Sequence, residues 1–244
     1  MALPLPMTKR HYAPTSKMAD LLSDHYNVFL LVFNLGMRLG VGDKTVAEVC
    51  KEQKIDLDSF LALVHFLLGD DGKTSAATIA ALDLDLLIRF LKSSHVYFLD
   101  YRLPQIGAKM DETLREAPKE VKVVMKRFFD EYSVEVHRHM DYENDVVFPY
   151  VEGLLRGDPG KGYSIAIFEK KHDQVELKML ELKNILIKYY KGEFNPGLNN
   201  LLHELYACGS ELKSHNAIED ELFIPAIEAL EEDLKGQKGA DYEG

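Results

Sequence analysis

Cysteine is scarce in this chain of 244 residues: only Cys50 and Cys208 occur. Two thiols cannot build a disulfide framework, and this pair shares no close metal-ligand spacing, so any metal would rest on histidine and carboxylate. Basic residues are also in deficit. Lys plus Arg number 29 against 40 Asp plus Glu, a formal charge of −11. That balance repels phosphate backbones and anionic lipid surfaces, so neither a nucleic acid nor a membrane is expected as a partner. Long apolar runs are missing: the longest, Val28 to Phe33, is far short of the roughly 20 residues a bilayer span needs. No basic-then-apolar leader opens the chain, and the expected location is the cytoplasm. Sustained alternation of apolar and polar residues at period 2, the mark of strands, is absent as well.

What is present is helical. The content of hydrophobic residues, 46%, suffices for a small and a medium domain, each with a buried core. Residues 1–14, with Pro4, Pro6 and Pro14, read as a loose leader. From Thr15 to about Leu39 the residues Met18, Leu21, Leu22, Val28, Phe29, Val32 and Leu35 recur at helical spacing, which predicts one helix before the break at Gly40 and Gly42. Thr45 with Glu48 has the capping-box spacing, and Asp56 can cap a further helix through Leu67. A small helical domain is therefore expected over 15–70. A polar, small-residue linker comes next, over 71–81.

Beyond it the periodicity predicts four long helices, roughly Leu82 to Glu116, Lys119 to Leu155, Tyr163 to Lys191 and Leu198 to Leu234, with a tail over 235–244. The separators are short and rich in glycine and proline, as at Gly157-Asp158-Pro159-Gly160 and Asn195-Pro196-Gly197. Short connections imply antiparallel neighbours. The expected fold is all-α, an up-down-up-down four-helix bundle over 82–234 preceded by the small helical domain. The residues after position 80 carry −10 of the net charge of −11.

The chemistry is concentrated in histidines. Four of the nine have an acid four residues later, a spacing that alone decides little. An internal repeat is sharper: His139 and His215 are each followed by Glu at +4, namely Glu143 and Glu219, and by Pro at +10, namely Pro149 and Pro225. On a helix the +4 spacing places imidazole and carboxylate one turn apart on one face, where both can reach one cation or two adjacent ones. Both pairs sit in apolar stripes: Phe128, Tyr132, Val136, His139, Glu143, Val146 and Tyr150 on the second helix, and Leu201 to Leu222 on the fourth. His95 lies among Leu91, Phe98 and Ile106. His172 lies among Ile165, Val175 and Met179. Each helix thus offers one inward histidine.

Burying four imidazoles and two carboxylates without partners would cost several kcal/mol per charged group. A bound cation pair removes that cost. The donor set suits iron, manganese or zinc, and two bridging glutamates with terminal histidines suit a redox-active di-iron centre. The expected ligands are His95, His139, Glu143, His172, His215 and Glu219. Two iron ions held in this way keep positions for an oxo bridge and a small exogenous ligand. His137 and His203 fall off the inward faces and read as surface residues, as do Asp141 and Glu176. Glu169 with His172 forms a lone Glu-x-x-His, whereas ferritin-like di-iron sites need two. Cys208 reads as a small core residue.

The repeated His-x-x-x-Glu with downstream Phe and Pro, together with His95 and His172, resembles the hemerythrin-like HHE cation-binding domain over about residues 82–234. Four histidines with two glutamates are similar to the di-iron family named for repair of iron centres. Residues 18–68, notably Asn34-Leu35-Gly36-Met37 and Thr45 to Cys50, look like the short helical domain that precedes the bundle there. Where that family carries Cys-Cys-Gly-Gly, this chain has Leu39-Gly40-Val41-Gly42, so thiol chemistry in the small domain is not implied.

The resemblance implies a non-haem di-iron protein of the nitrosative or oxidative stress response, with iron–sulfur cluster repair as the associated role. Oxygen, nitric oxide or hydrogen peroxide would be the small ligand. The alternative is a sensor that binds oxygen or nitric oxide and signals to a partner protein through the small domain. A helix-turn-helix reading of residues 45–68, binding DNA, is weak because that domain is not basic.

Overall fold

The computed structural model describes residues 11–69, 74–158, 163–167 and 173–241. They divide into two compact units, Met1–Phe90 and Leu91–Gly244. Helix accounts for the architecture of both, and among the described residues the sole β feature is an isolated bridge between Lys17 and Thr45. No helix in the described residues is long and apolar enough to cross a membrane.

The first unit holds α1 (Met18–Asp24), α2 (Val28–Asn34), α3 (Val46–Gln53), α4 (Leu57–Leu67) and α5 (Ala76–Ala80). The single helix expected over 15–39 is two helices. The chain breaks at His25 because tertiary bonds hold the turn: Tyr12 donates its hydroxyl to Asp24 at 2.8 Å, and the Asn27 amide donates to the Leu67 carbonyl at 3.3 Å. The apolar period reads through this break, since the buried triplets Met18, Leu21, Leu22 and Val28, Leu31, Val32 keep the same spacing. The end of the expected loose leader is anchored too. Tyr12 is buried, and its carbonyl lies 2.7 Å from Nε2 of His65.

Local chemistry behaves as expected at the caps. Thr45 and Glu48 form the capping box, with the Glu48 N–H on Thr45 Oγ1 at 3.2 Å and the Thr45 N–H on Glu48 Oε2 at 2.8 Å. Asp56 accepts from the Ser59 N–H at 2.8 Å. Thr45→Ala removes the side-chain half of the box, the acceptor for the Glu48 N–H, so a loss of about 1 kcal/mol in urea-unfolding stability of this unit is expected. Part of the expected linker is helical, because the Ser75 hydroxyl accepts from the Thr78 N–H and caps the small-residue run of α5.

The chain then runs through α6 (Leu84–Val96), α7 (Leu103–Thr113), α8 (Lys119–Tyr142), α9 (Phe148–Leu155), α10 (Asp173–Tyr189), α11 (Pro196–Ile218) and α12 (Ile224–Asp241). The last of these continues through most of the residues expected as a tail. These elements make four rods: α6 with α7, α8 with α9, α10, and α11 with α12. Neighbours pack in a ring, α7 on α8, α8 on α10, α10 on α11 and α11 back on α7. Two contacts fix the sense of the first and last rods. The His95 ring meets the His215 ring at 5.2 Å, while Arg102, farther along the first rod, meets Glu204 and Glu211, which precede His215 in the last. Partner numbers fall as the first rod's rise, so those rods are antiparallel. Tyr132, Val136, Leu182, Leu201 and Leu205 fill the centre, each fully buried.

Three rods are interrupted by π-helical turns, over Tyr97–Arg102, Glu143–Val147 and Glu219–Phe223. The N–H groups of Leu103, Phe148 and Ile224 each donate to a carbonyl five residues back, on Phe98, Glu143 and Glu219. Each turn therefore holds one extra residue and shifts the phase of the helix beyond it. The straight stripe expected to continue from Glu143 through Val146 and Tyr150 instead continues through Val147, Phe148, Val151 and Leu154, all buried.

Candidate metal centre

The π turns lie at the histidine–carboxylate motifs. Two begin on the carboxylates Glu143 and Glu219 themselves, and the third begins two residues after His95. Each is closed by one residue and then proline: Leu103-Pro104, Phe148-Pro149 and Ile224-Pro225. Proline has no N–H and crowds the carbonyl four residues back, so it suits a place where the helix is already widened. Pro149 and Pro225 each stand in the first turn of the α-helix that resumes after the π turn. Pro104 is a third copy of this signal, nine residues after His95, which the search for a Glu at +4 passes over.

His95, Glu143, His215 and Glu219 converge on one point, each buried, with their candidate ligand atoms all within 4.8 Å of one another. His139, also buried, stands beside them. The contacts divide the carboxylate oxygens. Glu143 Oε2 lies 2.9 Å from Nε2 of His95, and Oε1 lies 2.9 Å from Nε2 of His139. Glu219 Oε1 lies 3.1 Å from Nε2 of His215, and Oε2 lies 3.9 Å from Nε2 of His139. Both carboxylates thus face His95 or His215 with one oxygen and His139 with the other. His172 lies outside the described residues, as does Glu169. His137, His203, Asp141 and Glu176 are exposed, as expected.

These short distances are not hydrogen bonds. Neither oxygen of Glu143, nor Nε2 of His95, nor either ring nitrogen of His215 makes one. Buried donor atoms that converge without pairing with one another are the arrangement of ligands around a shared cation. Two donors each about 2.1 Å from one ion and at right angles stand about 3.0 Å apart, close to the separations seen here. The buried donor set therefore fits a metal.

Further contacts orient the imidazoles. Asn144 Oδ1 sits 3.0 Å from Nδ1 of His95. An amide oxygen only accepts, so Nδ1 carries the proton and Nε2 keeps its lone pair for the cluster. Sequence reasoning missed Asn144, since a polar residue one place after a glutamate has no distinguishing pattern. Phe148 stacks on the His95 ring at 5.4 Å, and Phe98 meets the His215 ring edgewise at 5.9 Å. Buried Arg102 ties the first rod to the last, its Nε donating to Glu211 at 2.9 Å and its Nη1 to Glu204.

Electrostatics match the geometry. Burial opposes the charged form of His95, but the Glu143 and Glu219 carboxylates outweigh it and raise its pKa above the ordinary value. Complete burial would raise Glu143, yet His139 and His95 hold it well below the carboxylate range. A cation at the centre would likewise favour the ionised carboxylates. The thiols stay out of this chemistry: burial pushes Cys50 and Cys208 each up to about 12, so both remain neutral core residues.

Comparison with known proteins agrees with the donor set. The model of the hemerythrin HHE cation binding domain matches residues 86–227, more than half of the chain. No curated protein and no solved structure matches it. The matched span contains all three π turns and every histidine and glutamate of the cluster, and on that basis the chain belongs to the hemerythrin HHE cation-binding family.

Proposed function

We propose that the protein holds two iron ions between its four rods and uses them to bind a small ligand, oxygen, nitric oxide or hydrogen peroxide, in the response to nitrosative or oxidative stress. The observation that carries this reading is the divided contact of both carboxylates. One oxygen of each faces the His95 and His215 side, and the other faces His139. A single ion would need one side only. Glu143 and Glu219 together with the imidazoles of His95, His139, His172 and His215 would hold such a dinuclear centre. Bound as a ferrous pair, the metals supply two electrons, enough to reduce two nitric oxide molecules with two protons to nitrous oxide and water.

The chain's own residues keep the site dry and aligned. Phe98, Phe148 and Phe223 are each buried beside the cluster, and Asn144 holds the His95 tautomer. Iron–sulfur cluster repair in the cytoplasm, as in the family named for repair of iron centres, is the role this reading favours. The neutral Cys50 and the missing Cys-Cys-Gly-Gly leave the first unit without a reactive thiol, which favours a second reading. In that reading the centre binds oxygen or nitric oxide as a sensor, and the first unit contacts a partner protein.

Metal analysis of the purified chain tests the first step, with two irons per chain expected and one or none ruling out the dinuclear centre. Anaerobic addition of nitric oxide to the reduced protein separates the two roles. Nitrous oxide supports reduction, and a lasting nitrosyl spectrum without product supports sensing.

A further inference from the structure

We infer that Tyr97 and Tyr101 form an electron relay between the buried metal centre and the protein surface, delivering electrons one at a time to peroxide bound at that centre. The inference rests on the metal reading above and assigns two residues which that reading does not use. A run of ring contacts carries it, all within the second unit. Phe98 stands 5.9 Å from the ring of His215, Tyr97 lies 5.4 Å from Phe98, and Tyr101 lies 5.9 Å from Tyr97. The inner end of this run is sealed and the outer end is open: His215 and Phe98 are buried, Tyr97 is half-buried, and Tyr101 is 55% exposed. Electron tunnelling weakens steeply with distance, so a donor in solution reaches a buried centre best through short steps between rings in contact. Separations of this size are those of touching aromatic pairs.

The side chains fit the steps. Phenylalanine resists oxidation, so Phe98 serves as a bridge, whereas a phenol gives up one electron when its proton can leave at the same time. At Tyr97 that proton has an acceptor, since the hydroxyl donates to Glu211 Oε2 at 3.3 Å. The bond is not needed to join the rods, because Arg102 Nε donates to the same oxygen at 2.9 Å. Around His95 the rings are Phe148 and, beyond it, Phe223, both buried and without a hydroxyl to oxidise. Aromatic packing at the cluster therefore does not require phenols, yet the route from His215 to the surface carries two. With the irons already ferric, bound peroxide accepts two electrons, takes two protons from water, breaks its O–O bond and leaves as two water molecules. Each electron comes from Tyr97 as its proton passes to Glu211. Tyr101 then gives an electron to Tyr97, which recovers its proton from Glu211, and the Tyr101 proton passes to water. A one-electron reductant in solution, such as ascorbate, restores the Tyr101 electron and proton, so two ascorbates and one peroxide give two ascorbyl radicals and two waters.

The test mixes the iron-loaded, air-oxidised full chain with hydrogen peroxide and freezes it for electron paramagnetic resonance. Wild type should give a tyrosyl radical signal, which ring-deuterated tyrosine narrows and added ascorbate removes. Tyr97→Phe keeps the ring but not the phenol. Its iron content and the visible bands of its ferric centre should match wild type, while the radical and the ascorbate-supported consumption of peroxide should be lost. A purely structural role for Tyr97 would leave the radical in place. Tyr101→Phe should keep a radical on Tyr97 that ascorbate removes more slowly, and this comparison decides the matter if Tyr97→Phe fails to hold iron. An undiminished radical in Tyr97→Phe would overturn the inference, as would equal rates of removal by ascorbate in wild type and Tyr101→Phe. A wild-type chain that takes up no iron sinks the metal reading and this inference together. One that takes up iron and yields no tyrosyl radical sinks the inference alone.

Discussion

Glu143→Ala empties the metal centre. Its carboxylate is buried and is the group that touches both His95 and His139, one through each oxygen. Removing it takes one donor from each side of the cluster. Losing a supporting partner of a ligand already costs about 10–100-fold in metal affinity, so loss of a shared ligand should exceed about 100-fold. Glu143→Gln should fare little better, because the amide nitrogen carries no lone pair for a cation. Metal analysis after gel filtration, with a chelator competition for any residual metal, checks both variants. Their helical content should survive, since the rods are held by the apolar contacts of Tyr132, Leu182, Leu201 and Leu205 rather than by this carboxylate. Full metal retention in Glu143→Ala would refute its place in the centre.

Phe148→Ala should produce the largest loss of stability in the second unit. The ring is fully buried, stacks on His95 and meets Phe223 at 5.9 Å. It also closes the π turn that begins at Glu143, its N–H donating to the Glu143 carbonyl. Deleting a buried phenylalanine costs about 3–5 kcal/mol, a large share of the roughly 5–15 kcal/mol that holds a typical domain together. For a unit of this size that corresponds to a fall of roughly 10 °C in Tm. Phe148→Leu keeps most of the volume and should cost under about 1.5 kcal/mol. Urea unfolding of both, with the slope unchanged, gives the comparison. Equal midpoints for wild type and Phe148→Ala would mean that the pocket collapses without penalty.

Sequence pattern and folded structure part company at identifiable places. The histidine–glutamate pairs were legible because their +4 spacing is a property of one helix, and so were the caps at Thr45 and Asp56. The π turns were not, although Pro104, Pro149 and Pro225 mark all three. A stripe drawn at constant period places Val146 and Tyr150 inward, and one inserted residue hands that place to Val147 and Val151. The break at His25 was hidden for a related reason, since the apolar spacing resumes in phase after the turn. Asn144 carries no local signature at all: its role is defined by the His95 ring across the bundle.

By itself the order of residues determined that this is a helical protein with a repeated imidazole–carboxylate pair on inward faces, because helix period and apolar spacing act within a few residues of each other. Only the tertiary structure decided which oxygen meets which histidine. That depends on the relative heights of separate rods, set by long-range contacts such as Arg102 on Glu204 and Glu211, and on π turns that rotate three of the rods beyond their histidines and glutamates.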